Sequence, residues 1–395
     1  MLGMHVKEFC GSWMEHPFWR TAFVLNDAKD IDAILVSSIQ EVWIDCAKGL
    51  DVALGETAVS EAESEAQVEA ELKQIASEKR QITPVSAAAE FARAFRICKQ
   101  AKQAMIAMFE EVRMGNTVDV GGAKQLVEEI SASVSRNPGA LISLARLKTT
   151  DDYTYMHSVA VCAMMVALAK QLGLDEAQTR SAGLAGLLHD LGKALIPAEL
   201  LNKPGKLTEA EFAIIKNHPV EGHKMLLEGA DVDPIVLDVC LHHHEKTDGS
   251  GYPKGLKSDE ISLFAKMGAV CDVYDAITSN RPYKSGWDPS ESLRKMAEWS
   301  NGHFDPKVFQ AFVKSLGIYP VGSLVRLSSG RLGVVLEQAA KSLTTPCVKV
   351  FFSTKSNMRI LPLVVDLSRP DTSEKIAGRE DPSKWAFPDL HALLM

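Results

Sequence analysis

The chain has 395 residues, enough for two or three domains at roughly 100–200 residues each, and 46% of them are hydrophobic and 24% charged. That is ordinary globular composition and excludes a disordered chain. Lys and Arg total 43 against 51 Asp and Glu, a net charge of -8. This speaks against a broad surface for binding DNA or RNA through phosphates, though not against a focused phosphate pocket.

Seven scattered cysteines, Cys10, Cys46, Cys98, Cys162, Cys240, Cys271 and Cys347, include no C-x-x-C pair. They read as reduced, packed thiols of a cytoplasmic protein. Lys7 and Glu8 interrupt the N-terminus where an export signal needs an apolar run. The longest uncharged stretch, Tyr153 to Ala169, has 17 residues, short of the roughly 20 that span a bilayer. A buried helix and no membrane insertion are expected.

In chain order, WRTAFVL (19–25) reads as a strand, AKDIDAILVSSI (28–39) as a helix capped by Asn26 or Asp27, and EVWIDC (41–46) as a second strand. Residues 1–50 are therefore expected to form a small α/β module. Asp51 to Glu71 hold seven carboxylates and no Lys or Arg, so 51–83 reads as an acidic linker, a solvated spacer that is helical or not. Over 84–117, Phe91, Phe95, Cys98, Met105 and Phe109 mark the apolar face of a long helix ended by Gly115 and Asn116. That face suits packing on its own domain, or a homodimer. Residues 118–318 show helix after helix with short Gly/Pro/Asn/Asp breaks, an all-α domain of about 200 residues. SLVRLSSGRLGVVLEQ, CVKVFFST and RILPLVVDL then give 319–395 a β pattern, a small sheet appendage.

Histidine carries the chemical signal. Seven of eleven, His157, His189, His218, His223, His242, His243 and His244, fall within the helical stretch. Singly each is an ordinary core or surface residue; as a set they ask for a metal. In SAGLAGLLHDLGK, Leu184, Leu187, Leu188 and Leu191 make a buried stripe with His189 and Asp190 beside it. A divalent cation satisfies both polar groups there. Asp190 has two oxygens with which to bridge two ions, and His189 supplies one nitrogen. Gly192 is expected to end this helix. Lys193 beyond it serves either a phosphate or the helix C-terminus. His157, His218, His243, His244 and Asp272 are spaced for delivery from successive helices to one centre. His223, about 140° round a helix from His218, points elsewhere and is assigned to structure.

The strings His189-Asp190-x-Gly-Lys193, KPGKLTEAE, His218-Pro219, HHEKTDGSGYP (His243 to Pro253) and DVYDAITSNRPYK (Asp272 to Lys284) together resemble the HD-GYP family of cyclic di-GMP phosphodiesterases, over about residues 120 to 320. The first fifty residues resemble a small domain of unknown function that often precedes such domains. The resemblance implies an HD-type helical fold and a centre of two or three ions, usually iron or manganese. It places His157, His189, Asp190, His218, His243, His244 and Asp272 at ligand positions and leaves His242 as a neighbour. Three-metal members carry a Glu where this chain has Tyr153, so two metals are expected. It also implies Lys193, Arg281 and Lys284 at the substrate phosphates and Gly251 and Tyr252 against the ligand. Asp275 reads as a residue orienting a ligand or Lys193, or as a plain helix-face carboxylate. Glu245 and Asp248 are assigned to loop shape.

The expected reaction is metal-assisted hydrolysis of cyclic di-GMP to linear pGpG, and to GMP after a second cut, with Asp190 and Lys193 as catalytic residues. The alternatives are the hybrid cyclic GMP-AMP dinucleotide as substrate, a general HD-type nucleotide phosphohydrolase, and a non-catalytic cyclic-dinucleotide receptor signalling through the N-terminal module.

Overall fold

Val6 and Phe9, buried three residues apart across a break in register, anchor His5–Phe9 as the central strand of the N-terminal module. The computed structural model describes the whole chain except residues 11–17, 19–21, 38, 40, 54–57, 77–86, 147–152, 202, 204–206, 230–231, 280–285, 340–341, 386, 388–389 and 395. Strands β1 (His5–Phe9), β2 (Phe23–Val24) and β3 (Val42–Ile44) form an antiparallel sheet in the order β2-β1-β3, with helix α1 (Ala28–Val36) between β2 and β3. Val6, Phe9, Phe23, Leu25 and Ile39 close a small separate core. Asp27, not Asn26, caps α1 and accepts the Lys29 backbone N–H at 3.0 Å. The sequence reading missed β1. Of its first expected strand, only Phe23–Val24 is a strand here and 19–21 lie outside the described residues.

The acidic segment does more than hold two parts apart. Helix α2 (Glu61–Ala76) buries Val68 and Leu72, an i,i+4 apolar pair, against the helical domain. Its carboxylates meet cations from three parts of the chain: Glu61 reaches Lys7 of β1 at 2.6 Å, Glu65 reaches Arg294 at 3.7 Å, and Glu69 pairs with Arg379. Charge dominated the composition of this stretch and hid the apolar pair.

Helix α3 (Ala87–Arg113) buries Ala94, Ile97, Cys98, Ala101, Met105, Met108, Phe109 and Val112 against its own chain. Phe91 is half-buried. Phe95 is 61% exposed and is not on that face. The buried carboxylate of Glu90 accepts two hydrogen bonds from Arg136, at 2.7 and 2.8 Å, and one from Ser133 at 2.9 Å, which fixes α3 to the next helix.

The remaining helices are α4 (Val120–Arg136), α5 (Pro138–Arg146), α6 (Tyr153–Gln171), α7 (Glu176–Leu188), α8 (Ala198–Leu201), α9 (Glu209–Lys216), α10 (His218–Glu228), α11 (Pro234–His242), α12 (Leu263–Thr278), α13 (Pro289–His303) and α14 (Pro306–Leu316). Helix α6 is buried on every side from Met156 to Ala169, as a helix apolar all round requires. Helix α7 lies close along it. A Cβ on Gly186 would come within 3.0 Å of the Cys162 backbone. Three helices start with Asp-Pro: Asp233, Asp288 and Asp305 each cap backbone N–H groups while the proline takes the first turn, where no N–H is needed. No helix among the described residues is long and apolar enough to cross a membrane.

Strands β4 (Leu324–Leu327), β5 (Arg331–Glu337), β6 (Cys347–Ser353), β7 (Met358–Asp366) and β8 (Ile376–Arg379) form an antiparallel sheet in the order β7-β6-β5-β4-β8. One face holds its own cluster of Leu324, Leu332, Val334, Phe351 and Phe352. From the other, Val325, Leu327, Val335, Val348 and Val350 join the helical core, which runs without a break from Val68 to Leu367.

Candidate metal centre

Five elements deliver the polar residues to one buried point. His157 comes from α6, His189 and Asp190 follow α7, His218 opens α10, His243 and His244 follow α11, and Asp272 lies on α12. The expectation that His189 and Asp190 sit inside a helix ended by Gly192 is corrected. Helix α7 stops at Leu188, and the chain turns through His189 and Asp190 into a 3-10 turn, Leu191–Leu195, that contains Gly192 and Lys193. Within a helix these neighbours would diverge by about 100°. His189 keeps helical torsions while Asp190 leaves them, and both side chains reach the same centre. Gly192 serves close approach: a Cβ there would lie 2.0 Å from the His218 carbonyl oxygen and 2.6 Å from the Gly222 nitrogen.

The seven residues fall into two groups with ligand atoms within 4.8 Å of one another: His157, His189 and Asp272, and Asp190, His218, His243 and His244. Asp190 stands between them. Its Oδ2 lies 3.3 Å from His157 Nε2 and 3.4 Å from His189 Nε2, and its Oδ1 lies 3.1 Å from His218 Nε2 and 3.7 Å from His243 Nε2. Asp272 Oδ1 is 3.0 Å from His157 Nε2, and its Oδ2 is 3.7 Å from His244 Nδ1.

The outer nitrogens fix the tautomers. His189 Nδ1 donates to the Gly186 carbonyl at 2.8 Å, His218 Nδ1 to that of Ile215 at 2.7 Å, and His243 Nδ1 to those of Val239 and Cys240, each at 3.0 Å. His157 Nδ1 donates to the Asp275 carboxylate at 2.6 Å. Carbonyl oxygens only accept, so these Nδ1 atoms carry the proton and Nε2 turns a lone pair inward. His218 Nε2 and His243 Nε2 stand 3.3 Å apart beside Asp190 Oδ1, which has no hydrogen-bond partner. Three acceptors without a donor suit a cation and little else.

Charge state agrees with this. Burial, with His189 and His218 nearby, holds His243 down to about 3, and burial also lowers His218 and His244, so these imidazoles are neutral. His157 is the exception: burial pulls it down too, but Asp190, Asp272 and Asp275 outweigh it and push it up to about 10, so its Nε2 would have to give up a proton to bind a metal. Burial alone would raise Asp190 and Asp272. Lys193 and His189 around the first, and His157 and His244 around the second, hold both well below the carboxylate range. The donor set of five imidazoles and two carboxylates fits divalent ions of the first transition row.

The other expected residues take varied places. Lys193 Nζ donates to Asp190 Oδ2 at 2.5 Å. Asp275 is fully buried with its carboxylate on the His157 imidazole. Tyr252 stacks on His244 with ring centroids 4.6 Å apart. Gly251 is pressed against backbone, where a Cβ would meet the Lys246 nitrogen at 2.4 Å and the His244 oxygen at 2.6 Å. Glu245 accepts the Lys254 and Leu256 N–H groups at 2.7 and 2.9 Å, and Asp248 N–H donates to Gly302 O at 2.9 Å, so both shape the loop. Tyr153 brings a ring stacked on His157, and no carboxylate, to the position where the third metal's Glu was sought. His223 lies outside both groups, and His242 pairs with Asp238 at 2.8 Å. Arg281 and Lys284 lie outside the described residues. The sequence reading missed Gly222, whose nitrogen abuts Gly192; the His-Pro-x-x-Gly spacing was its signal.

A helical core that gathers His and Asp from five elements around an Asp with one oxygen for each of two groups defines an HD-type metal-dependent phosphohydrolase. The HD domain matches residues 130–308, and a domain of unknown function matches 1–123, taking in both α2 and α3. The chain is 55% identical over 390 residues, 98% of its length and 92% of the relative's, to a cyclic di-GMP phosphodiesterase of Pseudomonas aeruginosa. It is 43% identical over 149 residues, 37% of this chain and 39% of the relative, to a cyclic di-GMP phosphodiesterase response regulator of Xanthomonas campestris. It is 37% identical over 165 residues, 42% and 38% of the two chains, to a 3'3'-cGAMP-specific phosphodiesterase of Vibrio cholerae. The chain belongs to the HD-GYP family.

Proposed function

We propose that this protein is a metal-dependent phosphodiesterase that opens cyclic di-GMP to linear pGpG, and then to GMP by a second cut. The observation that carries the reading is Asp190, fully buried, with one oxygen facing each half of the His/Asp centre. The near full-length relative supports cyclic di-GMP, whereas the cGAMP-specific relative matches under half of the chain. All seven ligand positions are filled, which favours an enzyme over a silent receptor.

His157, His189 and Asp272 would hold one cation and His218, His243 and His244 the other, with Asp190 common to both; iron or manganese suits these ligands. Divalent cations bound there would polarise a phosphoryl oxygen and make water acidic enough to attack near neutral pH. The chain's own groups do the rest. Asp275 holds the His157 ring so that Nε2 faces the centre. Lys193, set against Asp190, stands where it meets the charge that develops on the phosphate. Arg281 offers a fork for phosphate and Lys284 a second charge. Tyr252, kept in place by its stack on His244, walls the entrance, and Gly251 lets that loop close on residues 244–246.

The test is to load purified protein with manganese or with ferrous iron under anaerobic conditions, supply each cyclic dinucleotide, and follow products by chromatography. Linear product from cyclic di-GMP, faster than from cyclic GMP-AMP, is expected. No product from either, with metal bound, would overturn the reading.

A further inference from the structure

The centre is buried unevenly. The side chains of His157, His189, Asp190, His218 and His243 are at most 3% exposed, whereas His244 is 11% and Lys193 21% exposed. Substrate therefore arrives over His244 and Lys193. The next group outward is Tyr252, stacked on His244 at 4.6 Å. Beyond it stands Lys216, the last residue of α9. Its Nζ lies 5.1 Å from the Tyr252 ring centroid and 4.7 Å from that of Phe212, one turn back on the same helix.

Three other lysines of the helical domain each pair with a carboxylate: Lys193 with Asp190, Lys203 with Glu211 at 2.7 Å, and Lys224 with Glu221 at 2.8 Å. Among the described residues no carboxylate pairs with Lys216. Two aromatic faces hold it instead, and a cation held by rings keeps its N–H donors available to an anion. A cyclic dinucleotide carries two phosphodiesters that its macrocycle holds apart. A site that takes the scissile one beside Lys193, with Arg281 and Lys284 also at the phosphates, is completed by a further cation at a distance, and the His244–Tyr252 stack supplies the spacing.

We propose that Lys216 binds the second, uncleaved phosphodiester of the cyclic dinucleotide, and so sets the preference for substrates with two phosphates. The proposal rests on the phosphodiesterase reading above. The test compares Lys216→Met and Lys216→Arg with wild type in the metal-loaded full chain. Two substrates are used: cyclic di-GMP, and bis(p-nitrophenyl) phosphate, which offers a single phosphodiester. For Lys216→Met the ratio of kcat/KM for the dinucleotide to that for the nitrophenyl ester should fall about tenfold, the change expected for one charged hydrogen bond. The fall should lie in KM, and Lys216→Arg should restore most of it. Equal losses on both substrates, a loss in kcat alone, or no loss would show that Lys216 only braces Tyr252 and would overturn the proposal. Wild-type protein inactive on cyclic di-GMP would sink the phosphodiesterase reading itself, and Lys216 with it, before any variant is compared.

Discussion

Asp190 meets two demands because its Oδ2 stands beside His157 and His189 while its Oδ1 stands beside His218 and His243. Asp190→Asn keeps the shape and removes the charge. Turnover on cyclic di-GMP should fall by at least roughly a hundredfold and bound metal per chain should drop, as measured by elemental analysis. Asp275→Asn acts one step further out, by loosening His157. Metal affinity in chelator competition should weaken about 10–100-fold, the usual loss when a ligand's outer partner is changed. Gly192→Ala tests packing, because the new methyl would strike the His218 backbone. About 3 kcal/mol of stability should be lost in denaturant unfolding, the upper end for overpacking. The ligand residue types were legible because clustered histidines beside apolar stripes are rare. Their orientation was not, because it depends on carbonyls three or four residues back at helix ends that the sequence pattern misplaced by a few residues.

Helix α3 shows how an apolar face can be read at the right phase and still take in one exposed residue. Phe91, Cys98, Met105 and Phe109 lie on the buried side and Phe95 does not, while the buried line also takes in Ala94 and Ala101, where small side chains let neighbouring helices come close. Size biased the reading toward Phe95. Phe109→Ala should therefore cost about 3–5 kcal/mol and Phe95→Ala within about 0.5 kcal/mol, both read from denaturant unfolding. At the β4–β5 turn, Glu374 from the segment before β8 accepts Ser328 Oγ at 3.0 Å, Ser329 N–H at 3.2 Å and Arg331 at 2.6 Å. Burial pushes its carboxyl up, but Ser329 and Arg331 outweigh burial and bring it down to about 2, from an ordinary 4.5. A lowered carboxyl stabilises the fold above 4.5, and that contribution is lost as pH falls toward 2. Wild type should thus melt higher than Glu374→Gln at pH 7, and the gap should narrow steadily below pH 4.5.

Across the whole molecule, the sequence reading separated five parts by composition, and the helical core joins four of them. A switch from charge to helical period marks a change in solvent exposure along the chain, but it does not show which exposed-looking helix docks on which other. Val68 and Leu72 of α2 and Phe109 of α3 share one cluster with α6, α12, α14 and the C-terminal sheet. A fragment of residues 118–395 would leave that surface bare. It should bind a hydrophobic dye and melt below the full chain, or fail to stay in solution. The two family matches meet near residue 123, between α3 and the body of α4. The core does not part there. Recombination at that point would join sequences but not folds, since any new N-terminal partner must bring its own replacements for Val68, Leu72 and Phe109. The N-terminal part and the catalytic part are thus bound to be inherited together, and descent should preserve the pair where it would let separable modules be exchanged.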